Sequence, residues 1–397
     1  MTAPLSGVKV LEVANMIAAP SAAALMADLG ADVTKVEPPT GDILRDKVLP
    51  GVEPDPWFHL ENRGKRGVVI DLTHDAGRAA VLALAAQSDV FVTNLTAERQ
   101  RRFGVTSDDI HAVAPRAVHA SLSGYGARGA DADRLAYDMT AFFARGGIQH
   151  LVAEPGGPPA AFRAGQGDHT SALSLLAAIL AALRLRDLTG EPQVVEVALY
   201  QVAAWTIASD LSAAMVSNGV PERHVRANWP SPLTCRFRTS DGRWVALCMP
   251  GPKDFFPAFA DCLGHPEWVD DERFATPEAR RDNAAAIIAA VDAEFATRDR
   301  DDWAERLDHA GLTWAPVQDT ADISADPQAF ELGIFQTIED HGSGPFHTIG
   351  APFGIPNGDV GVRGRAPDLG EHTREVFEQA GLAPSEVDDL FERGIIR

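Results

Sequence analysis

The feature that most constrains the fold is the alternation between Val8 and Leu122, where short β-branched runs take turns with helical ones. Val8-Lys9-Val10-Leu11-Glu12-Val13 is followed by the Ala-rich stretch Pro20 to Leu29, then by Gly30 as a stop and by Asp32-Val33-Thr34-Lys35-Val36-Glu37 as a second strand. Gly67 to Leu72, the helical Asp75 to Gln87, Asp89 to Thr93 and Ala117 to Leu122 continue the pattern. Such an order predicts an α/β fold with a mostly parallel sheet covered by helices. Ligands of these sheets bind where loops leave the carboxyl ends of the strands, which places Ala14 to Ala19, Glu37 to Gly41 and Asn94 to Arg102 on one candidate face.

Beyond the sheet, Asp168 to Asp187 and Gln193 to Ser217 read as two long helices. The second carries few charges and is expected to be buried against the sheet or another subunit. Character changes at Asn228-Trp229-Pro230-Ser231-Pro232. A hairpin with strands Cys235 to Thr239 and Arg243 to Cys248 follows, then helices Asp254 to Leu263, Glu278 to Phe295 and Arg300 to Ala310. These predict a smaller α+β domain. Ser324 to Ala366 is rich in Pro and Gly and reads as a linker, and Leu369 to Ala380 and Ser385 to Gly394 read as two short helices in need of a docking surface.

A formal charge of -21 repels nucleic acid and anionic membrane, so a polyanionic ligand must be held by locally clustered cations. Two clusters stand out. Asn62-Arg63-Gly64-Lys65-Arg66-Gly67 interleaves glycine with cations, and Arg99-Gln100-Arg101-Arg102 follows Asn94; both read either as phosphate-binding loops or as solvated surface. Cys235, Cys248 and Cys262 form no CxxC pair and suit a reducing compartment. With no charged leader and no run of about 20 apolar residues, the chain is expected to be cytoplasmic. The histidines lack metal-ligand spacing, so no metal is expected. Gly124-Tyr125-Gly126-Ala127-Arg128-Gly129 matches a dinucleotide glycine pattern, but it follows the fifth strand and opens no amphipathic helix, which argues against a nicotinamide or flavin.

The chemistry is expected in Phe162 to Ser171, centred on Asp168. An Asp before a helical pattern serves either as a cap on the first-turn N–H groups or as an exposed nucleophilic carboxylate. Gly165 and Gly167 remove side-chain bulk and let backbone approach a ligand, and a helix start favours developing negative charge. Tyr137-Asp138 opens another helical pattern, where an N-cap with a packed tyrosine is the simpler reading.

Taken in order, several stretches resemble the class III coenzyme A transferases, the CaiB/BaiF family, over nearly the whole length. They are Pro4 to Glu12, Ala27 to Pro39, Asn62 to Arg66, Ser123 to Gly126, Tyr137-Asp138, Gly167-Asp168 and Ala366 to Thr373. The resemblance implies a Rossmann-like large domain built from residues 1–217 and 367–397, a small α+β domain at 229–320, linkers at 218–228 and 321–366, and an interlocked homodimer. It also implies that Asp168 is the covalent nucleophile, and that Asn15, Ile17, Ala18, Pro38, Leu60, Asn62, Arg63, Lys65, Asn94, Leu95, Arg102, Tyr137 and Asp138 lie around coenzyme A. The substrates implied are an acyl-CoA and a carboxylic acid.

CoA then passes between acids through an acyl-aspartyl anhydride and an aspartyl-CoA thioester, with oxyanions stabilised by backbone N–H groups near Gly165, Gly167 and His169 and with water kept out by the small domain. Two departures bear on the substrate. Ile17 stands where formyl-CoA transferases carry a glutamine, and Met249-Pro250-Gly251-Pro252-Lys253 replaces their glycine-rich loop. Both argue against a formyl or oxalate substrate, and the apolar Ile17 suggests a larger acyl group. An α-methylacyl-CoA racemase of the same fold resembles the chain nearly as well, but its histidine falls at Tyr137, a poor base at neutral pH. A CoA-binding protein without catalysis is the remaining alternative.

Overall fold

A computed structural model describes residues 1–45, 52, 55–220, 222–251, 253–339, 342 and 344–397. Pro252 of the expected substitute loop, and Pro221 and residues 340, 341 and 343 of the expected linkers, lie outside the described residues. The chain divides into two compact units, Met1–His150 with Ala161–Met215 and Gln328–Arg397, and Leu151–Ala160 with Val216–Pro327.

The larger unit is built on six strands: β1 (Lys9–Val13), β2 (Asp32–Glu37), β3 (Arg66–Val69), β4 (Val90–Thr93), β5 (Val118–Ser123) and β6 (Gln193–Ala198). All pair in parallel, in the order β3-β2-β1-β4-β5-β6. The sequence direction reverses between β1 and β4, the point where such sheets open a crevice. Its helices in chain order are α1 (Ala18–Asp28), α2 (Pro56–Asn62), α3 (Asp75–Ala85), α4 (Ala97–Phe103), α5 (Ser107–Val113), α6 (Ile148–Val152), α7 (Gln166–Thr189), α8 (Leu199–Thr206) and α9 (Ala208–Ser217), with a π-helical turn at Met139–Ala144.

Alternation along each strand divides the core between the two faces. Val10, Val33, Val92 and Ala120 point to α1, α7 and α8, while Leu11, Val36, Val68 and Phe91 point to α3 and α5. Every residue of α1 is buried, because it lies between the sheet and α7 and also packs on α2. Small alanines there allow that close approach.

The segment from Gln193 does not continue as one long helix. Gln193–Ala198 is the edge strand β6, with Val194 and Glu196 exposed and Val195 and Val197 buried, a period of two that helix geometry does not produce. Past it, α9 has no buried residue within this chain, so of the two expected coverings the sheet does not supply it.

The smaller unit holds β7 (Arg236–Arg238) and β8 (Trp244–Leu247) as the expected hairpin, with β9 (Trp314–Pro316) added as a third antiparallel strand. Helices α10 (Phe256–Leu263), α11 (Pro277–Asp282), α12 (Ala284–Phe295) and α13 (Arg300–His309) surround a core containing Phe237, Phe259, Phe295 and Trp303. The stretch read as a linker contains α14 (Thr320–Ala325), α15 (Pro327–Glu331) and the hairpin β10 (Phe335–Ile338) and β11 (Phe346–Ile349).

The two tail helices, α16 (Thr373–Gln379) and α17 (Pro384–Glu392), find their surface on the sheet of the larger unit. Val376, Phe377, Val387, Ile395 and Ile396 join the α3–α5 face, Ile396 bridges Ile70, and the Val69 N–H donates to Thr373 Oγ1 at 3.2 Å. No helix among the described residues is long and apolar enough to cross a membrane.

Candidate active site

The loop leaving β1 is fixed from two sides. The Asn15 N–H donates to Asn94 Oδ1 at 3.1 Å and Asn94 Nδ2 returns to the Asn15 carbonyl at 2.6 Å, tying the β1 loop to the β4 loop across the switch point. Met16 then takes a φ of 64°, a left-handed conformation costing a β-carbon residue on the order of 1 kcal/mol. Its N–H donates to Asp42 Oδ1 at 3.2 Å, and Asp42 is anchored by Lys35 at 2.9 Å. Lys35 also meets Glu12 at 2.9 Å, and Glu12 meets Lys65 at 2.6 Å. This buried chain of alternating charges is an internal scaffold for the loop. Burial works against the Lys35 charge, but Glu12, Asp42 and Glu37 hold its pKa above the usual lysine range; Lys65, fully buried with a smaller share of Glu12 and repelled by Lys35, falls to about 8.

Beneath that loop a cavity of about 450 Å³ opens at the ends of β1, β4 and β5. Asn15, Met16, Ile17, Ala18, Asn94, Leu95, Arg99, Gly124, Gly126, Arg134, Leu135, Tyr137 and Asp168 line it. A second, smaller cavity of about 180 Å³ shares Asn15, Leu95 and Arg99 and adds Pro38, Leu72 and Phe103. Seven of the expected ligand-facing and catalytic residues thus meet in one hollow: Asn15, Ile17, Ala18, Asn94, Leu95, Tyr137 and Asp168.

Asp168 sits in the first turn of α7. The cap position of that helix belongs to Gly165, and no side chain caps it, so the capping reading of Asp168 is not the one realised. Its carboxylate accepts no hydrogen bond among the described residues and faces the cavity. Burial, then the neighbouring Asp138 carboxylate, pushes its pKa up to about 7, with His169 acting in the opposite sense and Glu61 adding to the rise.

The two glycines before it meet packing and turning requirements of the helix start. Gly165 enters the helix at a φ of 95°. At Gly167 a β-carbon would lie 2.7 Å from Phe142 Cγ and 2.9 Å from Asp138 Cβ, so only glycine lets α7 start against the π-helical turn. The backbone N–H groups expected to support an oxyanion already have partners. Buried Asp138 takes the N–H groups of Gly165 at 2.8 Å and Gly167 at 3.3 Å, and the His169 N–H goes to the Gly165 carbonyl at 2.8 Å. These donors are spent on shaping the helix start. Asp138 caps α7 rather than its own turn, and Tyr137, 63% exposed, lines the cavity instead of packing.

The cations of the basic loop after α2 are paired within the chain. Arg63 pairs with Asp28 at 2.6 Å, Lys65 pairs with Glu12, and Asn62 Oδ1 accepts from Lys65 Nζ at 3.0 Å, all three residues buried. Leu60 gives its carbonyl to Arg63 and, like Asn62, Arg63 and Lys65, lines neither cavity. Arg102 lies over the Phe103 ring and is exposed away from both. The cations that do face the cavity are Arg99, in the second cluster noted in the sequence, and Arg134, which no motif signalled.

A six-stranded parallel sheet, a crevice at its switch point and an acidic side chain presented there by a helix start define a ligand-transforming α/β enzyme. Comparison with known proteins gives its class. Residues 5–373 match the model of CoA-transferase family III. The chain is 30% identical to an (R)-2-hydroxy-4-methylpentanoate CoA-transferase of Clostridioides difficile, covering 99% of both chains. It is 29% identical to a cinnamoyl-CoA:phenyllactate CoA-transferase of Clostridium sporogenes, over 97% of this chain and 95% of that one. The crystal structure of a CaiB/BaiF family protein from Brucella suis superposes with a TM-score of 0.85 at 30% identity, over 96% of this chain and 100% of that one. The chain belongs to CoA-transferase family III, and its class is that of the acyl-CoA:carboxylate CoA-transferases.

Proposed function

We propose that the protein moves coenzyme A from an acyl-CoA to a carboxylic acid with Asp168 as the nucleophile. The observation that carries this reading is the Asp168 carboxylate, which lines a cavity of about 450 Å³ and has no hydrogen-bonding partner among the described residues. Asp168 attacks the thioester carbonyl and expels CoA thiolate, leaving an acyl-aspartyl anhydride. The thiolate attacks the aspartyl carbonyl and releases the donor acid, giving an aspartyl-CoA thioester. An acceptor carboxylate attacks that thioester and frees the thiolate again. Attack of the thiolate on the acceptor's acyl carbon yields the new acyl-CoA and restores Asp168.

Arg99, shared by the two cavities, suits the anionic part of CoA, and the Asn15–Asn94 clasp suits a pantetheine arm passing between the β1 and β4 loops. The cavity that Asp168 lines also has apolar wall residues, Ile17, Leu135, Ala136 and Leu199. That lining favours an acyl group larger than formyl, in keeping with the branched and aromatic acids named for two relatives. The exposed apolar side chains of α8 and α9, with Trp205 at 80% and Val216 at 90%, support a homodimer that covers them.

The test is mass spectrometry of products after incubation with acetyl-CoA or succinyl-CoA and a pool of aliphatic and aromatic carboxylic acids, with and without hydroxylamine. New acyl-CoA species and a hydroxamate on Asp168 are expected. Asp168→Ala at wild-type rates would falsify the nucleophile assignment.

A further inference from the structure

Three elements of the larger unit meet at one buried carboxylate that the transfer scheme does not use. Glu61, on α2 and 2% exposed, places Oε1 2.8 Å from His169 Nε2 on α7. Its other oxygen accepts from the hydroxyl of Ser21 on α1, which itself lies 2.8 Å from the Ile17 carbonyl. Both Glu61 oxygens therefore have a partner, which a buried carboxylate requires. His169 immediately follows Asp168 in the first turn of α7, a position where the helix dipole by itself disfavours a cation. An imidazolium there needs negative charge brought to it. Glu61 brings it from α2, Asp138 from just before the π-helical turn and Asp168 from α7 itself; α1 contributes the neutral Ser21, and Lys65 also interacts with Glu61.

Asp168 has the converse problem. Asp138 and Glu61 surround it with negative charge, and the positive group facing it is His169. Attack on a thioester needs the ionised carboxylate, so a cation fixed beside it preserves the nucleophile as the pH falls. We propose that Glu61 and His169 are positioning residues for the transfer, Glu61 holding His169 as an imidazolium beside the Asp168 carboxylate and Ser21 holding Glu61 in place. This inference rests on Asp168 being the nucleophile. Burial of the ring opposes its protonation, but Glu61, Asp168 and Asp138 together raise the His169 pKa above the usual histidine range.

The experiment has two readouts on the full-length chain. Imidazole resonances of the unliganded protein are titrated by NMR, with His169→Gln identifying the signal, in wild type, Ser21→Ala and Glu61→Gln. The His169 titration is expected to move down by about one pH unit in Glu61→Gln and by less in Ser21→Ala. The pH profile of kcat/KM is then followed with the donor and acceptor found active in the product screen. In Glu61→Gln and His169→Gln the acidic limb is expected to move up by about one pH unit, with the alkaline plateau within about 3-fold of wild type. A His169 titration unmoved by Glu61→Gln, or rates lowered equally at every pH, overturns the inference. Either result with an inactive Asp168→Asn leaves the nucleophile standing, whereas an active Asp168→Asn removes the nucleophile and this inference with it.

Discussion

Burying Asp168 costs stability, and the sign can be worked out. Its folded pKa of about 7 lies above the unfolded value of 3.8, so between those limits the folded chain binds the extra proton and stability falls as the pH rises. Above pH 7 the full cost is present; below pH 4 it is gone. Asp168→Asn is therefore expected to be more stable than wild type at pH 8, on the order of 2 kcal/mol after allowance for solvent screening, and equal to it near pH 3.5. Denaturant melts at the two pH values check this, and a destabilised variant at pH 8 would contradict the burial argument. How much of this residue was legible in the sequence is plain: the Gly-flanked Asp before a helix marked the place, but two roles fitted it. The choice between them lies in Asp138, remote in sequence, which caps the helix so that Asp168 need not. For the same reason the pairing of Arg63 and Lys65 was not legible, since their partners Asp28 and Glu12 come from α1 and β1.

At the scale of elements, the start of α7 is set by its fit to the π-helical turn. Gly167→Ala would press a methyl group against the body of Phe142 and Asp138 Cβ, neither of them the far end of a flexible chain. A stability loss of about 1–3 kcal/mol is expected, together with a 10-fold or greater loss of exchange, because a small shift of the helix start carries Asp168 with it. Thermal melts and rates on the same preparation check the pair; unchanged rates in a destabilised protein would separate α7 packing from the site. Strands β1 to β5 and the β7–β8 hairpin were legible from composition and turn residues. Strand β6 was not, because Val194 to Ala198 runs without a break into the apolar α8 and the alternation covers only six residues. Strand β9 lacks a sequence signal of its own: three residues, ending in a proline, are recruited by β8.

For the whole molecule, the apolar side chains left outside are as informative as those inside. Trp205, Leu211, Met215 and Val216 are exposed along α8 and α9 and Leu185 and Leu188 along α7, where a lone soluble chain gains nothing from them. If a second copy covers them, Trp205→Glu with Val216→Lys is expected to shift the protein to monomer in sedimentation velocity, while a wild-type sedimentation coefficient in the double variant would count against a dimer through this face. Residues 373–396 raise a different matter. They cover one face of the central sheet and add Ile396 beside Ile70, yet they follow every strand of that sheet in the chain. During synthesis the ribosome must release nearly everything else before that face is sealed. A growing chain therefore carries a greasy, half-clad sheet from the emergence of β6 until the tail follows, a condition open to aggregation.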